Sequence, residues 1–310
     1  APDPRTFSWV VSYNQTSDEI AAIQQEYGDT MRPVFFDTWW DGTDVRFTTI
    51  YRRGSHFGSS RNDTAETFHS TYDSFHEQQV NPERLFFTQT PNGIRIHGLW
   101  SRSAPQASWS LHYGRSGFAR LWDEQSAQGW QLAQLVASAE GQQHYFHALW
   151  RPRQGRPDVV PNWFDRSDTL LAASRDRTSH GFQITQLDPI TYDGRVYFHT
   201  LWTRQTASTS WSIYDTSDSL RQTSNAYRDV GMSPRSIEVT IEAGAPRFHV
   251  LWHRAPTRCA WRWDDTLQTL REAILEKSRS HLWVQFIRSY PLLGQRFYAS
   301  VYCEPEGPNP

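Results

Sequence analysis

One seven-residue stretch recurs along the chain and limits what it can fold into: Tyr145-Phe146-His147-Ala148-Leu149-Trp150-Arg151. It returns as Arg95-Ile96-His97-Gly98-Leu99-Trp100-Ser101, as Tyr197-Phe198-His199-Thr200-Leu201-Trp202-Thr203 and as Arg247-Phe248-His249-Val250-Leu251-Trp252-His253. Degenerate copies, Arg46–Arg52 and Phe297–Cys303, bracket these. The closing aromatics Tyr51, Trp100, Trp150, Trp202, Trp252 and Tyr302 are 49, 50, 52, 50 and 50 residues apart. Six repeats, approximately 5–53, 54–103, 104–153, 154–205, 206–255 and 256–304, therefore fill the chain. A period of that size means a solenoid, a propeller or a stacked array. With no linker between repeats, 1–310 reads as a single repeat domain.

Each repeat aligns on three anchors. An aromatic opens a short strand (Trp9, Phe57, Trp109, Trp163, Trp211, Trp261), a polar turn leads into a helical pattern, and two strands follow, the second being the motif. In the third repeat Ser108–Tyr113 alternates as a strand and Gly114-Arg115-Ser116-Gly117 breaks it. Phe118, Leu121, Trp122 and Ser126 then share one helical face until Gly129 stops the helix. Trp130–Val136 resumes extended structure, and Glu140-Gly141-Gln142 turns it into the motif strand. In the first repeat Ser17-Asp18 reads as the helix cap and Asp41-Gly42 as the hairpin turn. In the second, Thr64–Gln78 reads as helix and Asn81-Pro82 as a break.

The order strand, helix, strand, strand, repeated six times, gives a β-rich α+β fold of about eighteen strands and six short helices. That count fits a closed ring of six sheets or an open curved array. The propeller-like ring is the expected form, because twisted sheets protect their edges most simply by closing. Aromatics make up 15% of the residues, with 15 Trp against 2 Met, so the core must be built from aromatic and β-branched side chains.

The opening Trp-x-x-x-Tyr of Trp109–Tyr113, a helix like Phe118–Gln128, Gly129-Trp130 and the closing Phe-x-x-x-Trp of Phe146–Trp150 resemble the bacterial tandem repeat domain. That repeat also forms the N-terminal half of the secreted fungal polyglycine hydrolases. The resemblance covers essentially the whole chain and is fullest in the third and fourth repeats. In those proteases a β-lactamase-like domain follows and carries the serine chemistry. The sequence ends at Pro310, just after the sixth repeat, and its one lysine, Lys277, has Ile274 three residues before it, so no Ser-x-x-Lys nucleophile motif is present. What the resemblance implies is the repeat module alone, without catalytic residues.

Other catalytic signatures are also missing. His76-Glu77 begins a zinc-protease motif, but Val80 stands where the second histidine belongs. The candidate that carries chemistry is the histidine set His97, His147, His199 and His249, one per repeat. On a strand each lies on the face opposite its Phe and Trp. Were the motif strand innermost in a ring, the imidazoles, His147 and His199 first, could converge on a metal or an acidic ligand. The structural alternative is one repeated interface contact. Thr48 and Ala299 take the position in the end repeats, so six histidines cannot form a ring. Acidic residues Asp37, Asp41, Asp188 and Asp193 are the other candidates for a site outside known motifs.

A second candidate surface is aromatic: Trp39, Trp40, Tyr113, Trp130 and Trp283, with Arg95, Arg151 and Arg204 near them in sequence. Trp40 and Trp283 are its first candidates for stacking on a sugar or peptide, because in a strand only one of Trp39 and Trp40 can face the core. The net charge of −2, from 31 basic and 33 acidic residues without a basic stripe, argues against nucleic acid, and no apolar run is long enough to span a membrane.

Cys259 and Cys303 open and close the sixth repeat and are expected to form a disulfide. Asn14-Gln15-Thr16 and Asn62-Asp63-Thr64 are N-glycosylation sequons. The start at Ala1-Pro2-Asp3-Pro4 fits a processed secreted chain. The expectation is a secreted monomer without cofactor that binds a protein or polysaccharide through one face of the array. An enzyme with its site near the histidines, or the recognition module of a larger protease, are the rivals.

Overall fold

The computed structural model describes residues 9–28, 30–54, 58–140, 143–254 and 257–305. Ala1–Pro4, Phe57, the Gly141-Gln142 turn and Glu306–Pro310 lie outside them. The chain forms two compact units, Ala1–Gln154 and Gly155–Pro310, each of three repeats.

In the first unit, repeat 1 comprises β1 (Trp9–Gln15), α1 (Ser17–Tyr27), β2 (Met31–Trp40) and β3 (Val45–Arg53). Repeat 2 comprises β4 (Gly58–Asp63), α2 (Ala65–Glu77), β5 (Asn81–Thr90) and β6 (Gly93–Ser101). Repeat 3 comprises β7 (Ser108–Tyr113), α3 (Arg115–Ala127), β8 (Trp130–Glu140) and β9 (Gln143–Pro152). The second unit repeats the pattern. It runs β10 (Val159–Asp165), α4 (Ser167–Ser179), β11 (Phe182–Tyr192), β12 (Arg195–Arg204), then β13 (Thr209–Asp215), α5 (Ser217–Asp229), β14 (Met232–Glu242), β15 (Ala245–Arg254). It ends with β16 (Cys259–Asp265), α6 (Leu267–Arg279), β17 (Trp283–Leu292) and β18 (Gln295–Cys303).

Every repeat builds its own three-stranded antiparallel sheet, in the order first, third, second. The reason is local. The second and third strands of repeats 4, 5 and 6 meet at two-residue turns with positive φ, Asp193-Gly194, Ala243-Gly244 and Leu293-Gly294, whose twist matches a hairpin. The helix then carries the chain across the sheet between two parallel strands, and the motif strand fills the gap between them. The motif strand is thus the central strand of its sheet, not the innermost strand of a ring.

Helix starts follow from capping. Thr16, Thr64, Thr216 and Thr266 each accept the N–H three residues on, satisfying a donor the helix leaves orphaned. The cap of α1 is Thr16, one residue before the expected Ser17-Asp18. The stretch Arg115–Gly117, expected as a turn, is already helical, with Gly114 at the cap position. Asn81-Pro82, expected as a break, opens β5.

Both faces of the motif strand are covered. On the tryptophan face lies the repeat's own helix: Phe75 stacks on Trp100 with ring centroids 4.6 Å apart, and Tyr227 on Trp252 at the same distance. On the other face, in repeats 2, 3 and 5, the leucine before the tryptophan enters the preceding repeat's core. Leu99 packs with Ile20, Phe36 and Phe47, Leu149 with Phe68 and Leu85, and Leu251 with Leu170 and Phe198. The seam between repeats therefore runs through the leucine face, while the tryptophan face mainly holds the helix.

Candidate functional site

The repeated histidines sit on that leucine face, deep in the protein. His97, His199 and His249 are fully buried and His147 nearly so. In β4 and β13 a bulge places one residue, Asn62 or Tyr214, in the left-handed region (φ 61 and 60). That kink turns its N–H toward the imidazole: Asn62 N donates to His97 Nδ1 (2.9 Å) and Tyr214 N to His249 Nδ1 (3.3 Å). With Nδ1 accepting, Nε2 carries the proton and donates to Thr88 Oγ1 at 3.0 Å and Thr240 Oγ1 at 2.9 Å. His147 Nε2 meets Ser138 Oγ at 2.9 Å in the same way. Ile190 takes the equivalent place beside His199.

Three of the rings also touch the preceding repeat of their own unit. His97 packs on Phe47 at 4.8 Å, His147 on Phe87 at 4.7 Å and His249 on Phe198 at 5.2 Å. Burial pushes His97 and His249 down to about 3, with Arg61 and Arg95 adding to the effect at His97. His97 and His249 are thus neutral, hydrogen-bonded joints between repeats. Among the described residues, no group of three His, Cys, Asp or Glu side chains gathers to hold a metal.

The sixth repeat shows what the position requires. Where Ala299 replaces the histidine, Tyr290 fills the site: its ring lies 5.9 Å from Phe248 and its hydroxyl donates to Asp264 Oδ1 at 2.7 Å. Tyr290 so supplies both the ring contact and the bond to the bulge residue.

The tryptophan tips obey a similar rule. Trp100, Trp150 and Trp252 donate Nε1–H to Ser60, Ser110 and Ser212 on the first strand, at 3.1, 3.0 and 3.2 Å. In repeat 4 that place holds Asn162, and Trp202 donates instead to Thr200 on its own strand (2.8 Å). In repeat 6 it holds Arg262, and Ser300 bonds the Tyr302 hydroxyl at 2.9 Å. Thr200→Val should therefore cost about 1–3 kcal/mol by stranding a buried indole N–H. Asn162→Ser added to it should recover most of the loss. Urea titrations of both single variants and the double variant measure this, and additive losses in the double variant would refute the exchange.

Four of the five aromatic candidates lie half-buried. Trp40 packs against the core of repeat 1 beside its hairpin, and Trp283 opens β17 opposite Cys303. Trp39 and Trp130 are half-buried and Tyr113 is exposed. Of the arginines, Arg151 is buried and donates to the carbonyls of Pro82 and Pro105, so it binds repeat 2 to repeat 3. Arg204 lies over the Phe182 ring at 4.6 Å. Asp41 serves its own turn: the N–H of Asp44, the Arg46 guanidinium and Thr43 hold its carboxyl well below the usual range. Asp37 is buried opposite Thr48, Asp188 pairs across from His199, and Asp193 sits in a hairpin turn.

Cys259 and Cys303 are bonded across neighbouring strands, their Cα atoms 4.1 Å apart. The disulfide fits an oxidising environment. Asn14 and Asn62 are exposed at the bulges of β1 and β4. No helix among the described residues is long and apolar enough to cross a membrane.

Sequence reading missed the hydroxyls that serve the rings. Thr88, Ser138 and Thr240 each lie nine residues before their histidine, and Ser60, Ser110 and Ser212 forty before their tryptophan, so aligning repeats by register would reveal them.

A family model described as the polyglycine hydrolase-like structural repeat matches residues 107–153 and 215–255. These are the third repeat and the fifth from the end of its first strand, so the resemblance read from the motif holds in two repeats. No curated protein matches the chain.

Proposed function

We propose, from two repeats of the polyglycine hydrolase-like structural kind, that this chain is a secreted, non-catalytic recognition module that binds a protein segment or a glycan. The observation that carries the reading is the use of the buried polar groups. The imidazoles of His97, His147 and His249 are hydrogen-bonded inside their own repeats and packed against an aromatic ring of the preceding one, which favours architecture over chemistry. Binding then falls to exposed hairpins and half-buried aromatics at their bases, of which Trp40 is the first choice. A closed propeller-like ring belongs to the same proposal.

Glycan and peptide arrays test it. Binding is expected on one of them, weakened about tenfold or more by Trp40→Ala or Trp283→Ala, the scale of an aromatic anchor. Silence on both arrays, or turnover of any arrayed substrate, would overturn it. The family match favours a second reading, in which the module directs a separate protease domain to its substrate. In that case the arrayed ligand is also the substrate of the partner domain.

A further inference from the structure

β1 and β4 each carry an asparagine in the left-handed region, Asn14 at φ 53 and Asn62 at φ 61. Both are exposed, and both stand where a bulge interrupts pairing with the motif strand. The residue two positions on, Thr16 or Thr64, is the N-cap of the following helix. Positive φ tolerates asparagine and the cap favours threonine, so Asn-x-Thr could arise from backbone demands alone. The second unit shows that those demands do not require asparagine. Repeats 5 and 6 meet them with Tyr214-Asp215-Thr216 and Asp264-Asp265-Thr266, at φ 60 in each.

In those repeats the side chain has work inside the fold. Tyr214 packs on Phe198 and His249, and Asp264 accepts from Tyr290 and Ser217. The Asn62 N–H serves His97, but among the described residues neither asparagine's carboxamide makes a hydrogen bond. Two carboxamides at one structural position point to solvent without a structural role, each followed by the threonine that glycosyl transfer needs.

We infer that Asn14 and Asn62 carry N-linked oligosaccharides. In the transfer the Asn Nδ2 attacks the anomeric carbon of a lipid-pyrophosphate-linked oligosaccharide. The C1–N bond forms, the C1–O bond to the diphosphate breaks, one amide proton is lost and the lipid diphosphate departs. In the folded protein the Thr16 and Thr64 hydroxyls accept the N–H groups of Glu19 and Thr67. Transfer therefore precedes folding, and the exposed bulge then accommodates the sugar. β1 and β4 are edge strands of their sheets. A glycan on each blocks edge-to-edge pairing with another chain, a protection usually given by charge or proline.

This rests on the secretory route in the reading above, so the test supplies that route. The chain is secreted from a eukaryotic host behind an added leader. Its intact mass is measured before and after an amidase that hydrolyses the glycosylated side-chain amide, releasing the glycan and converting each occupied Asn to Asp, and the converted sites are mapped by peptide. Two glycans are expected, with Asn14→Asp and Asn62→Asp each removing one. Thr64→Ser keeps the Asn62 glycan and the cap, whereas Thr64→Asp keeps the cap and loses the glycan. A product with glycan on neither site, or on only one, while a control protein in the same host is glycosylated, overturns the inference and leaves the binding proposal untouched.

Discussion

Acidification from pH 6.5 to 4.5 should remove about 5 kcal/mol of stability through His97 and His249 alone. Both imidazoles are held near 3 by burial, against about 6.5 in an unfolded chain. Between those values the unfolded chain binds a proton at each site and the folded one does not. Stability is thus complete above pH 6.5 and falls by about 1.4 kcal/mol per pH unit per histidine as pH drops toward 3. Protonation in place is blocked by geometry, since Nδ1 already accepts the N–H of Asn62 or Tyr214 and a second proton would set donor against donor. Urea unfolding at fixed pH values measures the slope. The variant His97→Asn/His249→Asn keeps an acceptor for the bulge N–H and has nothing to titrate. It should be less stable at pH 7 and lose close to two protons of pH dependence between 6.5 and 4.5. An unchanged slope would show that other groups drive acid unfolding.

That behaviour was hidden in the sequence although the motif was its loudest signal. The repeat count and the order strand, helix, strand, strand are local properties, written in period and spacing, and the structure reproduces them, with the first helix cap one residue earlier than read. Pairing order is not local. Alternation along Arg95–Trp100 shows two faces but not what covers them, so it left the histidine face either open to a ligand or closed by a repeated interface contact. Placing the motif strand between two others, with a helix on one side and the preceding repeat on the other, buries both. The substitutions that look like decay of the motif are legible only against that arrangement. Ala299 makes sense beside Tyr290, and Thr200 beside Asn162, because each pair divides one job between two strands. The aromatic candidates were less legible still. Trp39, Trp40, Trp130 and Trp283 are all half-buried, a state that composition cannot separate from core.

Removing the disulfide should destabilise the sixth repeat by about 4 kcal/mol, the entropy of closing a loop whose ends are 44 residues apart. The loop holds the whole of β16, α6, β17 and most of β18, so the bond restricts the unfolded form of a complete repeat. Repeat 6, like repeat 1, has neither the motif histidine nor the motif tryptophan. In Cys259→Ala/Cys303→Ala, opening of this repeat becomes easier by roughly a thousandfold, and amide hydrogen exchange in α6 and β17 should accelerate accordingly. Repeat 5 should follow more weakly. It is joined to repeat 6 by the Glu238–Arg288 ion pair (2.6 Å) and the Phe248–Tyr290 contact, and repeat arrays pass stability between neighbours. The sheet of repeat 4 should change little. The wild-type chain with its disulfide reduced must show the same profile, which separates the cross-link from any cavity left by the alanines. Exchange in α6 within about threefold of the oxidised protein would mean that packing alone holds the repeat, and the staple would then have no role in its stability.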